Sequence, residues 1–206
     1  MSLPNVLLPL FPLDAVLLPG APLPLHVFEP RYKEMIGECL ERKQPFGVLR
    51  AKDGEAAEIG CTAEILNVVK KYEDGRMDII TQGRQRFEVM QVHSERAFLQ
   101  AEVFYLRDDP GVATREEISR ALELHAEIMK LAGSDADGVS NANEQELSFY
   151  LAGPLPLDLD FKQTLLEMKS EVERLRAVIM FFENILPNVR RTLHVRRKAG
   201  GNGHAS

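Results

Sequence analysis

Apolar residues along this chain follow two rhythms, and the change falls near Pro110. Before it they come in short runs of period two, cut by glycine and proline, which is the signature of strands. Residues 6–11 and 23–28 flank the turn Leu18-Pro19-Gly20, residues 46–50 follow Pro45, and residues 59–72 end at the turn signal Glu73-Asp74-Gly75. Residues 76–82 and 86–93 predict two further strands separated at Gly83. Residues 98–106 alternate Phe98, Gln100, Glu102 and Phe104 against Leu99, Ala101, Val103 and Tyr105. One helix interrupts the strands. Pro30 stands at its first turn, and Tyr32, Met35, Ile36, Cys39 and Leu40 follow at helical spacing.

Beyond Pro110-Gly111 the period becomes helical. Thr114 and Glu117 have the spacing of a capping box; Ile118, Leu122, His125, Ile128 and Met129 form one face, and Gly133 stops it. The small, polar residues 133–141 predict a mobile loop. A short helix starts at residues 143–146, carries Leu147, Tyr150 and Leu151, and ends at Gly153-Pro154. Asp160 caps the next, and Ser170 caps the last, whose face is Val172, Leu175, Val178, Ile179, Phe182 and Leu186; Pro187 is expected to end or kink it. The fold class is therefore α+β: a β-barrel with one inserted helix over residues 1–110, a small helical bundle over 111–198, and a disordered tail over 199–206.

The prolines sharpen the barrel reading. Seven of the twelve lie within the first thirty residues, in one of the most apolar stretches of the chain. Such a segment demands burial, yet proline fixes φ and cannot donate to a ladder. Short strands joined by tight turns satisfy both demands.

Composition bounds the class. The chain has 206 residues, 45% hydrophobic and 27% charged, enough to bury roughly 70% of its unfolded surface without staples. Cys39 and Cys61 are too few for a disulfide framework and read as buried thiols. The apolar start carries Asp14, lacks a basic leader and is broken by proline, so it does not read as a secretory signal. No uninterrupted apolar run reaches membrane-spanning length. The expectation is a cytoplasmic protein with no membrane association. The net charge of −6 is uneven: Arg190, Arg191, Arg196, Arg197 and Lys198 give residues 187–206 five basic side chains and no acidic one. That tail is the only tract suited to nucleic acid, and complementing a helix C-terminus is the favoured role for it.

Catalytic signatures are missing. There is no phosphate-binding loop of the Gly-x-x-x-x-Gly-Lys-[Ser/Thr] type, and no Cys/His spacing suited to zinc. Lys169-Ser170 is adjacent at a helix start, where Ser170 has a cap to make. His26, between Leu25 and Val27, reads as a hydrogen-bonded or outward-facing strand histidine; Glu29 and Arg31 read as a pair or a cap for the helix after Pro30. The expectation is no catalytic residue, no metal and no cofactor.

Two runs carry a resemblance. Leu8-Pro-Leu-Phe-Pro-Leu-Asp-Ala-Val-Leu-Leu-Pro-Gly20 and Pro24-Leu-His-Val-Phe-Glu-Pro-Arg-Tyr32 resemble the N-terminal substrate-binding domain of the ATP-dependent protease Lon, and stand-alone bacterial proteins made of that domain. Pro45-Phe-Gly-Val-Leu49, Ile59-Gly-Cys-Thr-Ala-Glu-Ile65, Asp74-Gly75, Gly83-Arg-Gln-Arg-Phe87, Lys162-Gln-Thr-Leu-Leu-Glu167 and Arg174-Leu175 follow in order, so the resemblance covers about residues 6–186. It implies a PUA-like barrel followed by a helical bundle, and a non-catalytic module that recognises unfolded or partner polypeptides without ATPase or protease domains. The expected binding is weak and gains from multivalency. Burying ~500 Å² of apolar surface gives roughly 12 kcal/mol, against about 4–15 kcal/mol for association. RNA binding, as by other PUA-like barrels, and small-molecule binding in a cleft between barrel and bundle are the alternatives. The candidate peptide-binding residues are Phe11, His26, Phe28, Tyr32 and Phe87.

Overall fold

A computed structural model describes residues 7–133 and 146–201, with side chains through residue 191. The expected loop at 134–141, the helix start at 143–145 and the end of the tail from 202 lie outside the described residues. The strands are β1 (Leu8–Leu13), β2 (Pro22–Val27), β3 (Phe46–Lys52), β4 (Glu55–Ala56), β5 (Ile59–Lys71), β6 (Met77–His93) and β7 (Gln100–Tyr105). The helices are α1 (Pro30–Arg42), α2 (Arg115–Ala132), α3 (Leu147–Ala152), α4 (Leu159–Glu167) and α5 (Glu171–Gly201).

Five strands form a ring. β1 pairs antiparallel with β7 and parallel with β3, and β7, β6, β5 and β3 follow one another by antiparallel ladders. Leu8, Leu10, Leu49, Phe87 and Ala101 meet inside it, with Val89 and Val103 packed against them. The ring closes tightly over Phe87. A Cβ on Gly47 or Gly60 would stand 2.6 or 2.8 Å from its Cζ, so only glycine admits the ring at either position.

The expected break at Gly83 does not occur: β6 runs unbroken for 17 residues. Gly83 serves instead as a point of close approach. Its N–H donates to Ala21 O and its carbonyl accepts from Gly20 N, both at 2.9 Å, and a Cβ there would lie 2.1 Å from Leu18 O.

Before Gly83, in the first half of β6, the strands lie outside the ring. The first half of β6 pairs with β2 on one side and with the second half of β5 on the other, giving a three-stranded ribbon. β5 is bulged at Leu66 and Val69, where the register slips by one.

The chain divides into two compact units, residues 1–108 with 152–169, and 109–151 with 170–206. Residues 152–169, which the change of period places in the helical half, thus join the strands. Periodicity reports a helix's apolar face but not what that face covers. Gln163 Nε2 donates to Ile59 O at 3.1 Å, Arg50 pairs with Asp160 at 2.6 Å, and the buried Arg86 donates to Leu166 O and Met168 O. The cap of α4 is Asp158 rather than Asp160, its Oδ1 accepting from the N–H groups of Asp160 and Phe161.

In the second unit α2 packs along α5. The capping box at Thr114 and Glu117 forms, and Gly133 closes α2 at φ 74°. Glu171 accepts from Ser148 N and Oγ at 2.8 and 2.6 Å and pairs with Arg174 at 2.8 Å, all three side chains buried. α5 continues through Pro187 to Gly201 rather than ending there. Proline's missing N–H leaves the carbonyl four residues back, at Glu183, without its ladder donor. Ser170 caps α5 as expected, accepting from Glu173 N at 3.3 Å.

Candidate functional site

The five candidate residues separate cleanly by burial. Phe87 is 0% exposed inside the strand ring. Phe11 and Tyr32 stack on each other with centroids 4.0 Å apart, and Phe46 lies 6.0 Å from Phe11. Both are buried, so these three are core and are removed from any contact surface. His26 and Phe28 face solvent, Phe28 at 58% exposure, with ring centroids 6.0 Å apart.

Register explains what surrounds them. Pro24 pairs with Ile80, and Ile80 with Asn67; His26 pairs with Asp78, and Asp78 with Lys70. Directly paired residues share a face of a sheet. Leu25, Ile79 and Val68 therefore point to the other side, where Ile79 is buried. The outer face of the ribbon carries Pro24, His26 and Ile80, with the bulged Leu66 and Val69 exposed beside them at 52% and 59%. Pro24, Leu25, His26, Val69, Asp78, Ile79 and Ile80 line a shallow depression of about 360 Å³ in the ribbon.

At the centre of this apolar surface sits a polar group. His26 Nδ1 lies 2.5 Å from Asp78 Oδ1, and Tyr72 Oη donates to Asp78 Oδ2 at 2.8 Å. Those bonds, from His26 first and then Tyr72, hold the Asp78 carboxyl below the usual carboxylate range. An ionised carboxylate only accepts, so Nδ1 carries the proton and Nε2 of neutral His26 is left as an acceptor. Lys70 and Arg76 stand 4.4 and 4.8 Å from the Tyr72 ring centroid, and Arg76 is neutralised by Asp74 at 2.7 Å. The residues lining the depression include the base and orienting carboxylate of a nucleophilic relay but no serine, threonine or cysteine.

The edges of the ribbon are blunted against strand addition. Pro22 and Pro24 cannot donate, so the donors from β2 to β6 are Leu23, Leu25 and Val27. Residues of the other parity turn their main chain to the free edge, which therefore lacks two N–H groups. Residues 64–71 of β5 lie beyond the β3 ladder, and their edge is interrupted by both bulges and by Lys70 and Lys71. The ribbon consequently presents a face of side chains rather than an open main-chain edge.

A larger cavity of about 460 Å³ lies between the end of α1 and β5–β7, and several of its polar groups are already paired within the protein. Thr62 Oγ1 accepts from Gln85 N at 3.0 Å, Arg84 pairs with Glu64 at 2.5 Å, and burial pushes the Cys39 thiol up to about 11. Glu29 and Arg31 pair at 2.8 Å, and Glu29 makes no side-chain cap to α1. Among the described residues no group of three or more His, Cys, Asp or Glu side chains is placed to hold a metal, and no helix is long and apolar enough to cross a membrane.

Sequence reasoning missed Leu66, Val69 and Ile80. For Ile80 the signal was present in the doublet Ile79-Ile80. Two successive apolar residues in a strand place one on each face, and only one can be in the core.

The chain matches the family model of the ATP-dependent protease La (LON) substrate-binding domain over residues 7–184. Lon protease of Cytophaga hutchinsonii is 26% identical over 94% of this chain and 26% of its own length; that of Paraburkholderia phytofirmans is 29% identical over 85% and 24%. The chain thus spans about a quarter of the length of these curated relatives. Protein cereblon of Xenopus tropicalis is 33% identical over 43% of the chain and 21% of its own length. The crystal structure of a Lon N-terminal domain protein from Xanthomonas campestris superposes with TM-score 0.68 at 29% identity, over 85% of this chain and 98% of that one. The N-terminal domain of Mycobacterium avium complex Lon protease shares the fold, with TM-score 0.67 at 20% identity over 87% and 100%. The α+β architecture, a seven-stranded sheet whose closed part is the five-stranded ring, together with five helices among the described residues, matches these domains, and the chain belongs to the Lon substrate-binding domain family.

Proposed function

We propose that this protein is a polypeptide-recognition module that acts without catalysis of its own and holds exposed apolar segments against the outer face of the β2–β6–β5 ribbon. The observation that carries the reading is the cluster of Pro24, Phe28, Leu66, Val69 and Ile80 on one solvent-facing surface of a family described by substrate binding. Isolated exposed apolar residues are ordinary, but a contiguous set around a depression marks an interaction site.

Magnitude sets how it is used. Covering Phe28, Leu66, Val69 and Ile80, each already part-buried, contributes about 1–2 kcal/mol apiece. Association costs about 4–15 kcal/mol, so one copy binds at micromolar strength or weaker. Useful retention then comes from several copies engaging one chain, which raises the effective concentration of the second contact. The cytoplasm suits this role and keeps the buried Cys39 and Cys61 as thiols.

The test is a fluorescence titration of a labelled, permanently unfolded protein with the wild type and with a Val69→Asp, Ile80→Asp double variant. Saturable wild-type binding weakened at least about tenfold in the variant is the expected result. Equal binding by both would refute the assignment of this face.

A further inference from the structure

We infer that a polypeptide covering the ribbon face does so with uptake of a proton at His26, so that this surface grips apolar segments more strongly as the pH falls. The inference rests on the proposed docking at this face and concerns what lies at its centre.

With His26 neutral, the His26–Asp78–Tyr72 group carries one negative charge, on Asp78, satisfied by hydrogen bonds from Nδ1 and Tyr72 Oη. With His26 protonated, the same geometry is an ion pair of net charge zero. In the free protein both forms are hydrated, the side chains of His26 and Asp78 being 46% and 33% exposed. An apolar segment laid over Pro24, Val69 and Ile80 removes that water. Burying a lone charge costs more than burying a hydrogen-bonded pair of opposite charges. The protonated form is therefore penalised less, and covering the face draws a proton onto the imidazole.

Charged neighbours do not reverse the balance. From β6 His26 faces Asp78; from the β5–β6 turn it faces Tyr72, whose ring is 6.0 Å away edge-on. Phe28 stacks on it from the end of β2. Lys70, the cross-strand partner of Asp78, and Arg76 oppose an added positive charge, but Arg76 is held by Asp74, and Lys70 lies over the Tyr72 ring on the exposed edge of β5. Imidazole is the side chain that changes charge in the range where proteins work. The neighbouring Asp78 stays ionised across it, its carboxyl being held low by His26 and Tyr72.

The test uses the whole chain and a capped peptide of leucine, phenylalanine and serine, which has no titrating group of its own. Fluorescence anisotropy gives Kd between about pH 8 and pH 5.5, and calorimetry in two buffers of different ionisation enthalpy counts protons. The expected result is a Kd that falls about 3–10-fold across this range, with up to one proton taken up. His26→Gln should flatten the profile. Asp78→Asn should invert it, because a neutral histidine then becomes the cheaper form to bury. Binding that is sensitive to Val69→Asp but has the same pH slope in His26→Gln overturns the inference alone. Peptide binding that Val69→Asp leaves untouched overturns the docking reading, and the inference with it.

Discussion

Replacing Phe87 by alanine removes the ring around which the strands close, and the size of the loss follows from what stands beside it. Phe87 is 0% exposed, and its Cζ fills the space that Gly47 and Gly60 leave by having no side chain. Nothing on those two residues can relax into the void, so the cost falls toward the upper part of the range for burying and losing a phenylalanine, about 4–5 kcal/mol. That is a large share of the roughly 5–15 kcal/mol that holds a domain together. Phe28, with 58% of its surface in water, has no such role, and Phe28→Ala should change stability by less than about 0.5 kcal/mol. Urea unfolding followed by circular dichroism separates the two. With a slope near 2 kcal/mol per molar, Phe87→Ala shifts the midpoint down by roughly 2 M and Phe28→Ala leaves it in place. A Phe87→Ala shift below about 0.5 M, or a Phe28→Ala shift of similar size to it, would refute the division of the aromatic residues into core and face.

Other substitutions test other parts of the account. Gly83→Ala drives a Cβ into Leu18 O and should cost about 3 kcal/mol or more in thermal unfolding, whereas Gly37→Ala, with open space around it in α1, should gain roughly 0.5–1 kcal/mol. His125 is buried with both ring nitrogens unpartnered, and burial pushes its imidazole down from the ordinary histidine value. The folded state then takes that proton less readily than the unfolded one, so the second unit loses stability as the pH falls below about 6.5. His125→Leu should remove this dependence in denaturation series at different pH, and an unchanged dependence would count against it. Pro22→Val with Pro24→Val restores two donors to the free edge of β2 and should promote self-association visible by sedimentation. A variant as monodisperse as the wild type would show that the prolines do not guard that edge.

Much of this was legible in the sequence because local chemistry decided it. The capping box at Thr114 and Glu117, the glycine stop at Gly133 and the helix start at Pro30 are read from neighbours a few residues apart, and they stand where the spacing puts them. Gly83 was misread as a break because a strand glycine marks either a gap or a close approach, and only the distant Leu18 tells which. The place of residues 152–169 was hidden for the same reason, since Gln163 meets Ile59 across a hundred residues of chain. At the candidate site the sequence offered aromatic residues, and three of the five were core. The face itself depends on the parity of β2 against β6 and on two bulges in β5. A bulge moves one residue to the other side of the sheet without leaving a residue-level mark.

The central claim is that the outer face of the ribbon is where polypeptide is held. Its most direct measurement is backbone amide NMR of the whole chain titrated with the capped leucine–phenylalanine–serine peptide. The account predicts shifts confined to Leu25, His26, Phe28, the stretch from Leu66 to Lys70, and the stretch from Asp78 to Ile80, with the buried Phe11, Tyr32 and Phe87 silent. Shifts centred on another surface, with these residues unmoved, would contradict it.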